Sequence, residues 1–126
     1  MNMILAIALG GGLGSVVRHY AMTVAASLWG AAFPYGTLLV NILGSFMIGA
    51  LMEAMAQKWQ VSLETRAFLI PGVLGGFTTF SAFSLDVLKL VETGQYFSGA
   101  LYVFLSVALS LAAIFFAVYF VRGVLA

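Results

Sequence analysis

The sequence predicts an all-α integral membrane protein of four transmembrane helices, the third broken near mid-membrane. Three observations lead there. Hydrophobic residues make up 63% of the 126 and charged residues 7%, with a mean hydropathy of +1.14; soluble domains carry about 25% charged residues. The apolar residues fall into four runs, at 3–28, 36–56, 67–90 and 97–121, each long enough for the roughly 20-residue helix that crosses a hydrocarbon core. The third run holds Gly72, Gly75, Gly76, Thr78, Thr79 and Ser81 at its centre, where a plain anchor helix would carry Leu or Ile. Only short loops separate the runs, so the chain reads as one four-helix transmembrane domain embedded in lipid.

The same composition removes several function classes. A net charge of +1 gives no basic footprint for nucleic acid. The absence of cysteine excludes disulfides, thiolate catalysis and cysteine-based metal sites. No nucleophile–base pair or metal cluster is visible and no soluble domain is left over, so an enzyme is not expected. The start, MNMILAIALGGGLGS, has no positive segment and reads as the opening of the first span rather than a signal peptide.

In the first span, Gly10 and Gly14 have the small-xxx-small spacing that lets helices approach closely. Arg18 follows inside the apolar run. Such a charge is expected to face a partner or water, as in an aqueous vestibule. His19 beside it reads as interfacial; with no second histidine, a metal site is not expected. Trp29, Phe33, Pro34 and Tyr35 form an aromatic loop suited to the membrane interface. In the second span, Thr37, Asn41 and Ser45 lie four apart and form one polar stripe that continues through Gly49. Buried in a membrane, Asn41 needs hydrogen-bond partners.

The second loop, residues 57–66, is the most hydrophilic stretch. Ser62 is placed to cap the third helix, with Glu64 in its first turn. In the third span, Pro71 and the glycines precede Phe80 and Phe83, three apart and therefore on one helix face. Backbone groups freed by a break must be buried in protein or line a wet cavity. In the fourth span, Tyr102, Ser106 and Ser110 again lie four apart and match the Asn41 stripe.

With four spans, Lys58, Arg66 and Arg122 fall on one membrane side, and Lys89, with Arg18 nearby, on the other. That is almost no positive-inside bias. Such a chain is expected to insert both ways, which permits an antiparallel dimer.

Together, GGGLGSVVRHY (10–20), PYGTLLVNILGSFMIG (34–49), GVLGGFTTFSAFS (72–84) and the Tyr102/Ser106/Ser110 spacing resemble the small fluoride channels of the CrcB/Fluc family. The resemblance covers essentially the whole chain. It implies a multi-pass protein of the inner cell membrane, an antiparallel dual-topology homodimer with two pores, and a structural sodium ion at its centre. By position it makes Phe80 and Phe83 the fluoride-contacting phenylalanines and Asn41 the pore asparagine. Thr37 and Thr79 join the pore, Tyr102, Ser106 and Ser110 form the polar track, and Arg18 is the arginine of span one. Gly75 and Thr78 match the residues whose backbone carbonyls hold the sodium. Asp86 stands where the pattern leads one to expect the longer Glu, and Phe77 is bulky for its position.

The residue types suit that role. Hydroxyls and a carboxamide can donate hydrogen bonds in place of an anion's water shell. The positive edge of a phenylalanine ring attracts an anion weakly enough to release it, as conduction requires. Carbonyl oxygens suit a hard cation. The alternative is a small dual-topology multidrug transporter, which needs a carboxylate deep in the membrane. Spans one and four have none, and Glu53 and Asp86 lie at span ends.

Overall fold

A computed structural model describes residues 2–125. Among these residues, four helical stretches are long and apolar enough to cross a membrane: Met3–Trp29, Tyr35–Gln57, Leu63–Glu92 and Tyr96–Leu125. The first and second are the single helices α1 and α2. The third is composite: α3 (Leu63–Ala67), a π-helical segment (Phe68–Leu74), the single turn α4 (Gly75–Phe77) and α5 (Phe80–Glu92). The last is α6 (Tyr96–Leu125).

Local chemistry sets the ends of these helices. Asn2 caps α1 through a 2.7 Å bond from Leu5 N–H, and Ser62 caps α3 by accepting from Thr65 N–H at 3.1 Å, as expected from its place before Glu64. Gly30 ends α1 at φ 81°, and Gly94 turns the chain between α5 and α6 at φ 77°. Both lie in the left-handed region that glycine enters without a Cβ penalty. Pro71 sits inside the π-helical segment. Its ring cannot donate to a carbonyl one turn back, and the wider π register absorbs that lost bond.

Two packing relations build the molecule. The first joins α1 to the π-helical segment and α4, and glycines make it possible. A Cβ on Gly10 would run into Phe68 O, and one on Gly14 into Val73 O. On the other side, a Cβ on Gly76 would stand 2.5 Å from Gly11 O. The Gly10/Gly14 spacing is therefore a seam along which backbone meets backbone. Phe77 fits beside this seam, nearly buried, because Gly14 and Gly44 leave the room it fills.

The second relation lays α2 along α6, with Gly49 making room for Ile114. A buried cluster of Leu38, Leu90 and Tyr102 closes one end of this pair. Glu53 and Arg122 close the other with a 3.0 Å ion pair.

Candidate functional site: the Thr78–Thr79 junction and its two cavities

The helical ladder of the third span stops at Thr78 (φ −86°, ψ 158°) and Thr79 (φ −152°, ψ 122°), both extended, and resumes at Phe80. Three side chains hold this junction. Asn41 reaches across from α2: its Oδ1 accepts from Thr79 N–H at 2.8 Å, and its Nδ2 donates to Thr79 O at 3.0 Å. Thr79 presents one donor and one acceptor, so the pair fixes which way the carboxamide points. The Thr79 side chain caps α5, accepting from Ala82 N–H at 3.1 Å. From α1, Arg18 Nη1 donates to Thr78 O at 3.4 Å. Gly44 lies directly opposite Thr78, where any Cβ would collide with the threonine methyl.

These bonds redirect two helical donors. In an α-helix, Thr79 N–H would close on Gly75 O, and Ala82 N–H on Thr78 O. Here the first goes to Asn41 and the second to the Thr79 hydroxyl. Gly75 and Thr78 thus lose their α-helical donors, and they are the two residues expected to offer carbonyls to a cation, although Thr78 O already accepts from the cationic Arg18 guanidinium. Neutral oxygens are the right donor type for a hard cation, but two are few against the six or so that such ions take. No group of three or more His, Cys, Asp or Glu residues among those described could hold a metal ion.

Beside the junction lies a cavity of about 520 Å³. Asn41, Gly44 and Ser45 of α2 form one wall, and Ser106, Val107 and Ser110 of α6 another. Gly75, Thr78, Thr79, Phe80 and Phe83 of the third span complete it. The Phe80 and Phe83 rings lie with centroids 5.5 Å apart. Phe80 is 79% exposed, and Pro71 and Gly75 beside it are also exposed. A single copy therefore leaves the cavity open on that side. Ser106 is 7% exposed, and its Oγ finds no hydrogen-bond partner among the described residues. An orphaned hydroxyl in low dielectric is unfavourable, so Ser106 is a cavity-lining residue with an unmet hydrogen bond.

A second cavity, of about 650 Å³, lies on the opposite side of the junction between α1 and α5. Its polar lining comprises Ser15, Arg18, His19, Thr23, Thr79 and Ser81. Thr79 alone borders both cavities. The N-terminus of α5 starts there, so its partial positive charge is directed at the place where the two spaces meet.

The predicted site residues divide into three groups. Asn41, Gly75, Thr78, Thr79, Phe80, Phe83, Ser106 and Ser110 line the first cavity, and Arg18 lines the second. Thr37 and Tyr102 line neither; both are fully buried behind the cavity wall. Tyr102 packs on Phe83 with centroids 5.2 Å apart, and its hydroxyl donates to Asp86 Oδ2 at 3.0 Å. The shorter carboxylate at that position therefore still reaches the tyrosine. Sequence reasoning left Gly44, Ser45 and Ser81 out of the site. Ser45 was legible from its spacing behind Asn41. Gly44 carried no signal, because its role is space for a residue on another helix.

Comparison with known proteins gives the chain a family. The family described as CrcB-like protein, Camphor Resistance (CrcB), matches residues 5–118. The chain is 49% identical over 125 residues to a protein of Chelativorans sp. (strain BNC1) named fluoride-specific ion channel FluC, covering 99% of this chain and all of that one. It is 50% identical over 127 residues to the protein of that name from Rhodospirillum centenum, covering both chains fully. Against the one from Rhizobium meliloti (strain 1021), identity is 53% over 115 residues, 91% of this chain and 92% of that one. All three carry the name of a channel, not of an enzyme. By the length and level of this similarity, the chain belongs to the CrcB family.

Proposed function

We propose that the chain is a fluoride-selective ion channel of the inner cell membrane, carrying fluoride passively down its electrochemical gradient. The observation that carries this reading is a cavity that sets the Phe80 and Phe83 rings against a polar lining of Asn41, Ser45, Ser106 and Ser110. A small anion stripped of water gains most from short hydroxyl donors, and Ser110 extends the row of donors along α6. The second Nδ2 hydrogen of Asn41 faces the same task, since the first is spent on Thr79 O. The phenylalanine rings offer positive edges that attract without trapping. Arg18 and the start of α5 supply the positive potential that draws an anion inward from the second cavity.

The working unit in this reading is an antiparallel homodimer with two pores. Its support is the cavity left open at Pro71, Gly75 and Phe80, which a second copy would seal, and the balanced Lys and Arg count. The extended Thr78–Thr79 junction acts as a functional break in the third span. A structural sodium ion would be held by the carbonyls of Gly75 and Thr78 from both copies. Two copies double the oxygen count from two to four, nearer to the six or so that such ions take but still short of it. Bound there, the ion would supply positive charge and lock the two junctions together.

The alternative, a dual-topology multidrug transporter, needs a membrane carboxylate free to exchange protons. Glu53 is paired with Arg122, and Asp86 accepts the Tyr102 hydroxyl. Both carboxylates are thus already engaged.

The test is efflux from liposomes holding the purified protein, read with a fluoride electrode and repeated with chloride. Fast fluoride release with negligible chloride release is the expected result. Equal release of both ions, or release of neither, would sink the proposal.

A further inference from the structure

Phe33 lies in the α1–α2 loop, outside every residue assigned to the anion path. Its sequence context suits an interfacial aromatic, yet the ring is half-buried and packs against the Leu38–Leu90–Tyr102 cluster. The backbone explains why. Tyr35 N–H donates to Phe33 O at 2.8 Å across Pro34, whose φ of −80° and ψ of 65° make an inverse γ-turn. Proline holds φ in that range by its own ring. The turn brings the Phe33 and Tyr35 rings to 5.0 Å, with Trp29 a further 6.1 Å from Tyr35.

The inward contact is the one with consequence. Phe33 meets Tyr102 edge-on, centroids 5.6 Å apart at an interplanar angle of 86°. Tyr102 is held in turn by Asp86 at its hydroxyl and by Phe83 at 5.2 Å, and Phe83 touches Phe80 at 5.5 Å. A row of rings therefore runs from the Pro34 turn to the cavity. Tyr102 is fully buried, and Phe33 covers its ring on the loop side.

We propose that Phe33 is a positioning residue for the anion path: it wedges Tyr102 from the loop and so fixes the ring of Phe83 at the cavity wall. The proposal rests on the channel reading for its functional consequence, but not for the positioning itself. Edge-to-face geometry has a directional preference that an aliphatic side chain lacks. A leucine at 33 would fill much of the volume and leave the tilt of Tyr102 less defined.

The experiment compares Phe33→Leu, Phe33→Tyr and Phe83→Ile, singly, with the double variant Phe33→Leu/Phe83→Ile. Gel filtration and thermal unfolding first confirm an intact fold. Initial fluoride efflux from liposomes should fall about tenfold in Phe33→Leu, by loss of one aromatic contact, and recover in Phe33→Tyr, which keeps the ring. The double variant should be no slower than Phe83→Ile alone, because both changes act on one ring. In parallel, the ring resonances of 13C-labelled phenylalanine should show Phe83 shifted in Phe33→Leu. Efflux at the wild-type rate in Phe33→Leu, losses that multiply in the double variant, or an unshifted Phe83 would each overturn the proposal. If the wild-type protein carries no fluoride, the channel reading fails, and the Phe83 resonance alone decides the positioning.

Discussion

Asn41 binds both backbone polar groups of Thr79, accepting from its N–H at 2.8 Å and donating to its carbonyl at 3.0 Å. One side chain thereby stands in for the two helical bonds that Thr79 would otherwise make. The carboxamide is the only neutral side-chain group that offers donor and acceptor in this fork, and it comes from α2, a separate helix.

Replacing Asn41 by Asp keeps the acceptor, removes the donor and sets a carboxylate against Thr79 O. Loss of a buried hydrogen bond with an unsatisfied partner costs about 1–3 kcal/mol. Asn41→Asp should therefore lower thermal stability moderately and reduce fluoride efflux severely, because the new charge also repels the anion. Efflux assays on vesicles and an unfolding curve in detergent check both. Wild-type efflux from a folded Asn41→Asp protein would remove Asn41 from the path.

Gly44 and Thr78 make a second coupled pair. A methyl at 44 collides with the Thr78 methyl, while the Thr78 hydroxyl faces elsewhere, donating to Leu74 O at 3.0 Å. Gly44→Ala should therefore destabilise the protein by the ~1–3 kcal/mol typical of overpacking. Thr78→Ser, which keeps the hydroxyl and deletes the methyl, should restore it. Gly14→Ala has no such rescue, because its obstacle is the backbone oxygen of Val73. Unfolding temperatures of the three single variants and the Gly44→Ala/Thr78→Ser double variant read this directly. A double variant no more stable than Gly44→Ala alone would refute the pairing.

The proposed antiparallel dimer gives a prediction about charge. Two or three lysines added to the second loop should bias insertion to one orientation. Expressed alone, that variant should lose fluoride efflux, and co-expression with an oppositely biased copy should restore it. Full activity of the single biased variant would rule out the antiparallel arrangement.

Much of this architecture is readable in the sequence, for identifiable reasons. The spans follow from hydrophobicity, and the Gly10/Gly14 seam follows from a spacing that has one common use in membranes. The Asn41 stripe faces inward: Thr37 and Gly49 are buried, and Asn41 and Ser45 line the first cavity. Its partner did not show, because Thr79 contributes only backbone, which every residue has. Pro71 and the glycines announced a disturbed third helix, yet the glycines sit within helical turns, and Gly72 and Gly76 serve close approach to α1. The extended residues are the two threonines after them. Phe33 was illegible for a different reason: an aromatic in a loop beside a membrane has an ordinary interfacial use. Only the γ-turn at Pro34 reveals that this ring points inward.

Ser106 separates stability from transport. Its Oγ is buried without a hydrogen-bond partner among the described residues, so it is a cost to the folded chain. Removing such a hydroxyl without opening a large void should be neutral or stabilising by up to about 1 kcal/mol. A packing role for the serine predicts that Ser106→Ala leaves transport unchanged. A donor role predicts the reverse: the variant unfolds at the same or a higher temperature, and its fluoride efflux falls severalfold. Ser106→Thr keeps the hydroxyl but adds a methyl, so it should retain more efflux than Ser106→Ala at some loss of stability. Ser106→Cys provides an intermediate, since its thiol is a weak donor. The four proteins are compared by initial efflux at equal reconstituted amounts and by unfolding temperature. An order of wild type, Thr, Cys and Ala in efflux, with no matching order in stability, assigns the hydroxyl to the ion. Ala matching wild type in efflux would take Ser106 out of the path and leave the orphaned oxygen unexplained by fluoride.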